Sequence, residues 1–296
     1  MITGSSGMLG KALCQQLSDR YEIVGLDINK AEGRKHRIER FIECDIVDRE
    51  RTVASIVSVN PDIVIHAAAY TDVEGCQRNP EKAHQVNAIG TETIALACQK
   101  SGAYICYIST DFVFDGEKSA YIESDTANPV NIYGRSKLEG ERYVQSILKE
   151  FIIVRSSWLF GKGGRNFVDT ILNKAKGGQD IPVVNDQFGS PTYTGDLARA
   201  IGKLLSLTDR PGGIYHLTNS GSCSRYEFAV TIKEFFNLNV NIIPISTEQY
   251  SSPVKRPRMS ILENRRYQKL TGDRLRHWKE ALKEYLLEDG CEKIKR

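Results

Sequence analysis

Tyr133 and Lys137 are the residues of this chain whose types and spacing could move a proton. They stand four positions apart in Tyr133-Gly134-Arg135-Ser136-Lys137, and on a helix that spacing puts both on one face, the ammonium beside the phenol. A free phenol ionises near pH about 10, and a neighbouring cation favours the ionised form, so proton transfer at neutral pH comes within reach. A chain with 13 tyrosines and 40 lysines plus arginines also produces such a pair by chance, on an exposed helical turn. The segments that would position the pair decide between the two readings.

Gly4, Gly7 and Gly10 lie between an apolar start and a helix that carries Leu9, Leu13 and Leu17 at helical spacing. Glycines there let the backbone turn tightly, approach a pyrophosphate and pack the helix on a sheet, with the helix N-terminus facing the phosphates. The strand from Ile23 to Leu26 then ends at Asp27, where a ribose-binding acid belongs. Asp27 would repel a further phosphate and so favours NADH, whereas Lys30, Arg34 and Lys35 follow closely and could compensate one. The choice between NADH and NADPH stays open, with a slight lean to dual use. Only Met1, Ile2 and Thr3 precede the first glycine, so the first strand should be short and a weak point of its domain, unless the true start lies upstream.

The apolar run Ile63 to Ala69 suits a buried parallel strand whose small carboxyl-end residues leave room for a cofactor. His66 within it reads as a core or strand-end histidine. A helix spans about 81–100, and a further strand from Tyr104 leads into Ser109-Thr110-Asp111-Phe112. Polar residues at a strand's carboxyl end point into the crevice where open α/β sheets bind ligands, although Thr110 and Asp111 could equally be a cap or turn pair. Another strand, Phe151 to Arg155, precedes Trp158. Beyond it come a helix at about 166–176, the polar loop 185–192, a helix at about 194–206, a strand at 214–217, and a final stretch with a helix, a strand at 241–245 and a basic amphipathic tail ending in the solvated charges of 293–296. Arg256, in Lys255-Arg256-Pro257-Arg258, could hold a diphosphate or be an exposed basic loop.

The whole therefore reads as an α/β protein, a Rossmann-type doubly wound parallel sheet with a smaller C-terminal α/β substrate domain. Residues 1–155 form the dinucleotide-binding domain, to which about 190–217 returns, and 156–189 with 218–296 form the substrate-binding domain. At 296 residues, 41% hydrophobic and 26% charged, the composition is that of an ordinary globular protein, and a formal charge of +3 is too small to imply a nucleic-acid partner. Seven scattered cysteines without a Cys-x-x-Cys pair read as reduced thiols, and with no membrane span or signal peptide the expected location is the cytoplasm. Five histidines without His-Glu-x-x-His point to no metal site.

The glycine loop, Asp27, Ser109-Thr110-Asp111-Phe112-Val113-Phe114, Tyr133 with Lys137, Arg155-Ser156-Ser157-Trp158, Val184 to Thr192 and Arg256-Pro257 occur in the order of a known family. The chain resembles the extended short-chain dehydrogenase/reductases, and among them most closely the dTDP-4-dehydrorhamnose reductase family of dTDP-L-rhamnose synthesis. The resemblance implies that Tyr133 donates a proton to a sugar ketone, that Lys137 holds the nicotinamide ribose and lowers the tyrosine's pKa, and that Thr110 polarises the ketone with Asp111 beside it. It further implies that Gly7, Met8 and Leu9 line the pyrophosphate, Asp27 the adenosine ribose, Asp45 and Ile46 the adenine, and Ala68, Ala69, Tyr70 and Thr71 the nicotinamide side, with Trp158 and Arg256 on the nucleotide sugar. Phe112 stands where related nucleotide-sugar dehydratases carry an extra acid, which disfavours elimination. A 4-epimerase, another nucleotide-sugar reductase, and a non-catalytic subunit such as the beta subunit of methionine adenosyltransferase share the same framework. The expected assembly is a monomer or homodimer.

Overall fold

The computed structural model describes residues 1–29 and 38–293, with side chains to residue 287. Lys30, Arg34 and Lys35 therefore fall outside the described residues, as do the side chains of the terminal charges at 293–296.

Seven parallel strands form one sheet in the order Gly213–His216, Phe151–Ser156, Tyr104–Thr110, Ile63–His66, Ile2–Thr3, Val24–Asp27 and Arg40–Glu43. This is the expected doubly wound Rossmann-type sheet. The winding direction reverses at Ile2–Thr3, so a crevice opens beyond the carboxyl ends of that strand and Ile63–His66. Both faces are covered, which is why Tyr104–Thr110 is buried throughout instead of alternating. Ile105 and Tyr107 meet Ile56, Ile94 and Val144 of helices Arg49–Val59, Gly90–Ser101 and Ile132–Ile147. Cys106 and Ile108 turn the other way, to Leu13 of helix Met8–Leu17 and to Leu197 and Ile201 of helix Thr194–Leu205.

The first strand has only two residues, in keeping with the short approach to Gly4, yet it pairs on both sides, and the Met1 amino group donates to the Ile63 carbonyl at 2.7 Å. The single helix expected over 81–100 is instead Pro80–His84, a π-helical turn at Gln85–Ile89, and Gly90–Ser101. The wider turn carries the fully buried Asn87, which accepts from the Tyr70 amide at 2.8 Å and donates to the Tyr70 carbonyl at 3.0 Å. A π turn of this kind often marks a functional site, because the extra residue re-aims a side chain.

A second apolar core joins helices Phe167–Ala175, Arg225–Phe236 and Trp278–Lys293 to the parallel pair Ile181–Val184 and Ile242–Ile245. The last helix is more than the amphipathic tail read from sequence: Trp278, Ala281, Leu282 and Tyr285 recur at helical spacing and are buried. No described helix is long and apolar enough to cross a membrane, and the described residues contain no cluster suited to a metal ion.

Candidate active site

The glycine loop forms a backbone cradle at the crevice. Gly4 has φ +68°, and a Cβ there would come within 2.6 Å of the Ala68 amide nitrogen. A Cβ on Gly10 would lie 2.0 Å from the Gly4 carbonyl oxygen, so the helix can sit this close to the loop only without a side chain. Gly7 is the N-cap, contributes no side-chain hydrogen bond, and no acid occupies the first turn. The helix thus presents free backbone donors and the positive end of its dipole to the cleft. Asp27 orients one wall: its carboxylate accepts from the Ser6 amide at 2.9 Å and the Asn29 amide at 3.3 Å. Because these glycines bring the helix N-terminus and the loop backbone together at an open cleft and an acid stands at the end of strand Val24–Asp27, the residues fit a nicotinamide dinucleotide.

The cleft that opens from the cradle has a volume of about 1260 Å³ and is lined by Gly4, Gly7, Met8, Leu9, Gly10, Asp27, Asp45, Ile46, Ala68, Ala69, Tyr70, Thr71, Thr110, Asp111, Tyr133, Lys137 and Trp158. Among the described residues given a binding or catalytic role from sequence, Arg256 alone is absent from that lining. Its guanidinium pairs with Glu74, which does line the cleft, at 2.7 Å, and with the Ser252 hydroxyl at 2.7 Å.

Tyr133 and Lys137 do share a helix face. Asn131 caps helix Ile132–Ile147 by accepting from the Gly134 amide at 2.9 Å, which sets Tyr133 in the first turn. A Cβ on Gly134 would be 2.0 Å from the Phe112 carbonyl oxygen, so this turn is pressed against the end of the Thr110 strand. The Phe112 ring stands edge-on to Tyr133, 5.8 Å between centroids. Thr110 hydrogen-bonds the Tyr133 phenol, donates to the Asp111 carboxylate at 3.1 Å, and accepts from the Phe112 amide at 3.2 Å. Thr110 thus both ends its strand and caps the turn that follows, with its oxygen toward the phenol.

The electrostatics differ from expectation at Tyr133. Burial raises the phenol above its ordinary value, opposed by the Thr110 hydrogen bond and reinforced by Asp111, and Lys137 does not bring it down. The reason is that burial acts on the lysine too: Lys137 is 2% exposed and is pushed down to about 7, with Glu141 opposing the shift. Its ammonium lies 4.2 Å from the centroid of the Tyr107 ring. Asp111 is pushed up to about 6 by burial, against hydrogen bonds from Ser260 and Thr110 and the nearby Arg225. His66 is a buried strand-end histidine, held between Thr3 and Thr91 at 2.7 and 3.0 Å and pushed down to about 3 by burial, so it stays neutral.

Trp158 has a left-handed backbone, φ +46°, a conformation that a bulky residue adopts only when its surroundings enforce it. They do: Gly189 leaves room for the indole, where a Cβ would be 2.4 Å away, and the Arg225 guanidinium stacks 3.6 Å from the ring centroid. Arg225 lines the cleft, faces Asp111, and is pushed down to about 10 by burial. The sequence reading missed it, along with Asn87 and the cleft-lining Arg78, Lys82 and Arg165. Ser224 and Glu227 form a capping box, a local signal that placed a helix start at Arg225, but only the packing of that helix aims the arginine at Trp158.

The family described as the RmlD substrate binding domain matches residues 1–290 of this chain. The chain belongs to that family. The spore coat polysaccharide biosynthesis protein SpsK of Bacillus subtilis is 42% identical, covering 97% of this chain and 96% of SpsK. A solved dTDP-4-dehydrorhamnose reductase of Clostridium acetobutylicum superposes with a TM-score of 0.88 at 38% identity, covering 97% of this chain and 98% of that one. The reductase of Bacillus anthracis, solved in complex with NADP, gives a TM-score of 0.85 at 37% identity over 97% and 98% of the two chains.

Proposed function

We propose that this protein reduces the 4-keto group of dTDP-4-dehydro-L-rhamnose to give dTDP-L-rhamnose, a nucleotide sugar for cell-surface polysaccharide, using NADPH or NADH. The observation that carries the reading is the convergence of Thr110, Tyr133 and Lys137 in one cleft with the glycine cradle. Membership of the RmlD family and whole-length similarity to proteins named dTDP-4-dehydrorhamnose reductase support it.

In this reading Gly4, Gly7, Met8, Leu9 and Gly10 hold the pyrophosphate, Asp27 the adenosine ribose, Asp45 and Ile46 the adenine, and Ala68 to Thr71 the nicotinamide side. When bound, the reduced nicotinamide supplies a hydride to the carbonyl carbon. Thr110 and Tyr133 donate to the carbonyl oxygen as negative charge grows on it, and Tyr133 transfers its phenolic proton to complete the alcohol. The raised phenol keeps that proton until it is needed. Lys137, as a cation, holds the ribose and stabilises the phenolate left behind. The edge-on Phe112 ring in place of an acid leaves no group there to expel water. Trp158 and Arg225 form the sugar wall, with Arg256 at the rim. The sheet with its two flanking layers serves as the dinucleotide domain, and the second core as the substrate domain.

The test follows loss of reduced-nicotinamide absorbance with enzymatically generated dTDP-4-dehydro-L-rhamnose, NADH and NADPH in parallel. Oxidation with at least one cofactor is expected, and Tyr133→Phe should lower it by about 100-fold or more while cofactor binding persists. Absence of oxidation with both cofactors, although both bind, would overturn the reductase reading in favour of a non-catalytic subunit. Turnover of Tyr133→Phe within a few-fold of the unmodified protein would remove Tyr133 as the acid.

A further inference from the structure

Glu141 lies one helical turn beyond Lys137 and two beyond Tyr133, on the same face of helix Ile132–Ile147. Its side chain is fully buried, and its carboxylate takes three hydrogen bonds from two different strands. Ser109 of strand Tyr104–Thr110 donates to Oε1 at 2.5 Å, and Arg155 of strand Phe151–Ser156 donates through Nε to Oε1 at 2.9 Å and through Nη2 to Oε2 at 2.6 Å. Ser109 immediately precedes Thr110, and Arg155 is paired with Ser109 in the sheet register, three residues before Trp158. One buried carboxylate therefore ties the helix of the proposed acid and lysine to two of the strands that end at the cleft. Nothing in the tyrosine–lysine spacing requires this.

We infer that Glu141 is a positioning residue: its ion pair with Arg155 and hydrogen bond with Ser109 seat Tyr133 and Lys137 against Thr110, and its carboxylate, one helical turn from Lys137 on the same face, is the anion that favours the lysine's ammonium form. The inference deepens the reductase reading and rests on it for the role of Lys137. Two observations support it. Removing an ammonium from water disfavours its charge, and Glu141 is the group that opposes this at Lys137. The surroundings also hold no second anion: besides Glu141 the titratable groups around Lys137 are Tyr133 on its own helix face, whose phenol burial keeps protonated, Tyr107 beneath it, whose ring it caps, and the neutral His66 on strand Ile63–His66. Around Glu141 itself stand Arg155 and Tyr107, with His216 beyond Arg155. Among the described residues no other carboxylate accepts a hydrogen bond from the side chains of Ser109 or Arg155.

The test compares Glu141→Gln, Glu141→Asp and Ser109→Ala in the full chain. The Lys137 Nζ titration is followed by NMR of ¹⁵N-lysine protein without nucleotide, its resonance assigned by its absence from Lys137→Met. Glu141→Gln is expected to lower the Lys137 midpoint by about one pH unit or more, the effect of an opposite charge at short range. The alkaline limb of the kcat/KM profile should move down with it, about a tenfold loss above the midpoint. Glu141→Asp should restore most of the midpoint while kcat stays reduced, and Ser109→Ala should leave the midpoint in place. Should Glu141→Gln fail to fold because Arg155 is left buried and uncompensated, Glu141→Gln with Arg155→Met removes two charges with opposed effects on Lys137, and because it is Glu141 that acts on the lysine, a smaller fall in the same direction is expected. An unchanged midpoint in whichever of these folds, or Glu141→Asp titrating like Glu141→Gln, would overturn the inference. The titration needs no turnover, so a failure of the reductase reading shows separately, as absent oxidation with a normal Glu141-dependent midpoint.

Discussion

Replacing Lys137 by methionine should make the protein more stable while destroying its proposed activity. The ammonium is 2% exposed and its folded-state pKa is about 7, against an ordinary 10.5. A base whose pKa falls on folding binds fewer protons folded than unfolded, so stability rises with pH between about 7 and 10.5, and below 7 the full burial cost is present. At pH 8 the unfolded lysine is charged and the folded one mostly neutral. The penalty there is the remaining 2.5 units, or about 3 kcal/mol at 1.36 kcal/mol per unit. Methionine is unbranched and fills the stem's space, but is one atom shorter, and the gap left at the amine costs about 1 kcal/mol. The net gain is about 2 kcal/mol, which in a chain of 296 residues raises Tm by about 3 °C. The assay is thermal unfolding without nucleotide at pH 6, 8 and 10, in parallel with turnover. The advantage of Lys137→Met should be largest at pH 6 and shrink toward pH 10. A variant less stable than the parent at pH 6, or an advantage that grows with pH, would refute the burial argument.

Two further outcomes are expected from the cofactor wall. Asp27→Ala removes the carboxylate that faces the cleft and repels a further phosphate, so the NADPH to NADH ratio of kcat/KM should rise by about tenfold or more; an unchanged ratio would take Asp27 out of the ribose site. Gly10→Ala places a methyl 2.0 Å from the Gly4 carbonyl oxygen, and since both atoms belong to rigid backbone the helix must move, at about 1–3 kcal/mol or more. Gly7→Ala meets nothing closer than 3.2 Å and should be the milder change in thermal unfolding. Equal destabilisation by the two would mean that the cradle is looser than this close approach implies.

What the amino-acid sequence determined by itself was everything carried by short-range chemistry. Apolar runs of strand length and glycines placed between strand and helix set the alternating α/β order, because backbone sterics and burial act over a few residues. Four-residue spacing on a helix put Tyr133 and Lys137 on one face, and polar residues closing a strand put Thr110 at the crevice. The tertiary structure decided what those residues experience. Burial moved Lys137 to about 7 and raised Tyr133 instead of lowering it, and no spacing encodes the depth of a side chain. The π turn that aims Asn87 at Tyr70, the left-handed Trp158 wedged between Gly189 and Arg225, and the carboxylate of Glu141 joined to Ser109 and Arg155 all bring together residues far apart in the chain. Such contacts exist only once the sheet has formed, because it is the register of strands Tyr104–Thr110 and Phe151–Ser156 that sets Ser109 beside Arg155 under one face of the helix.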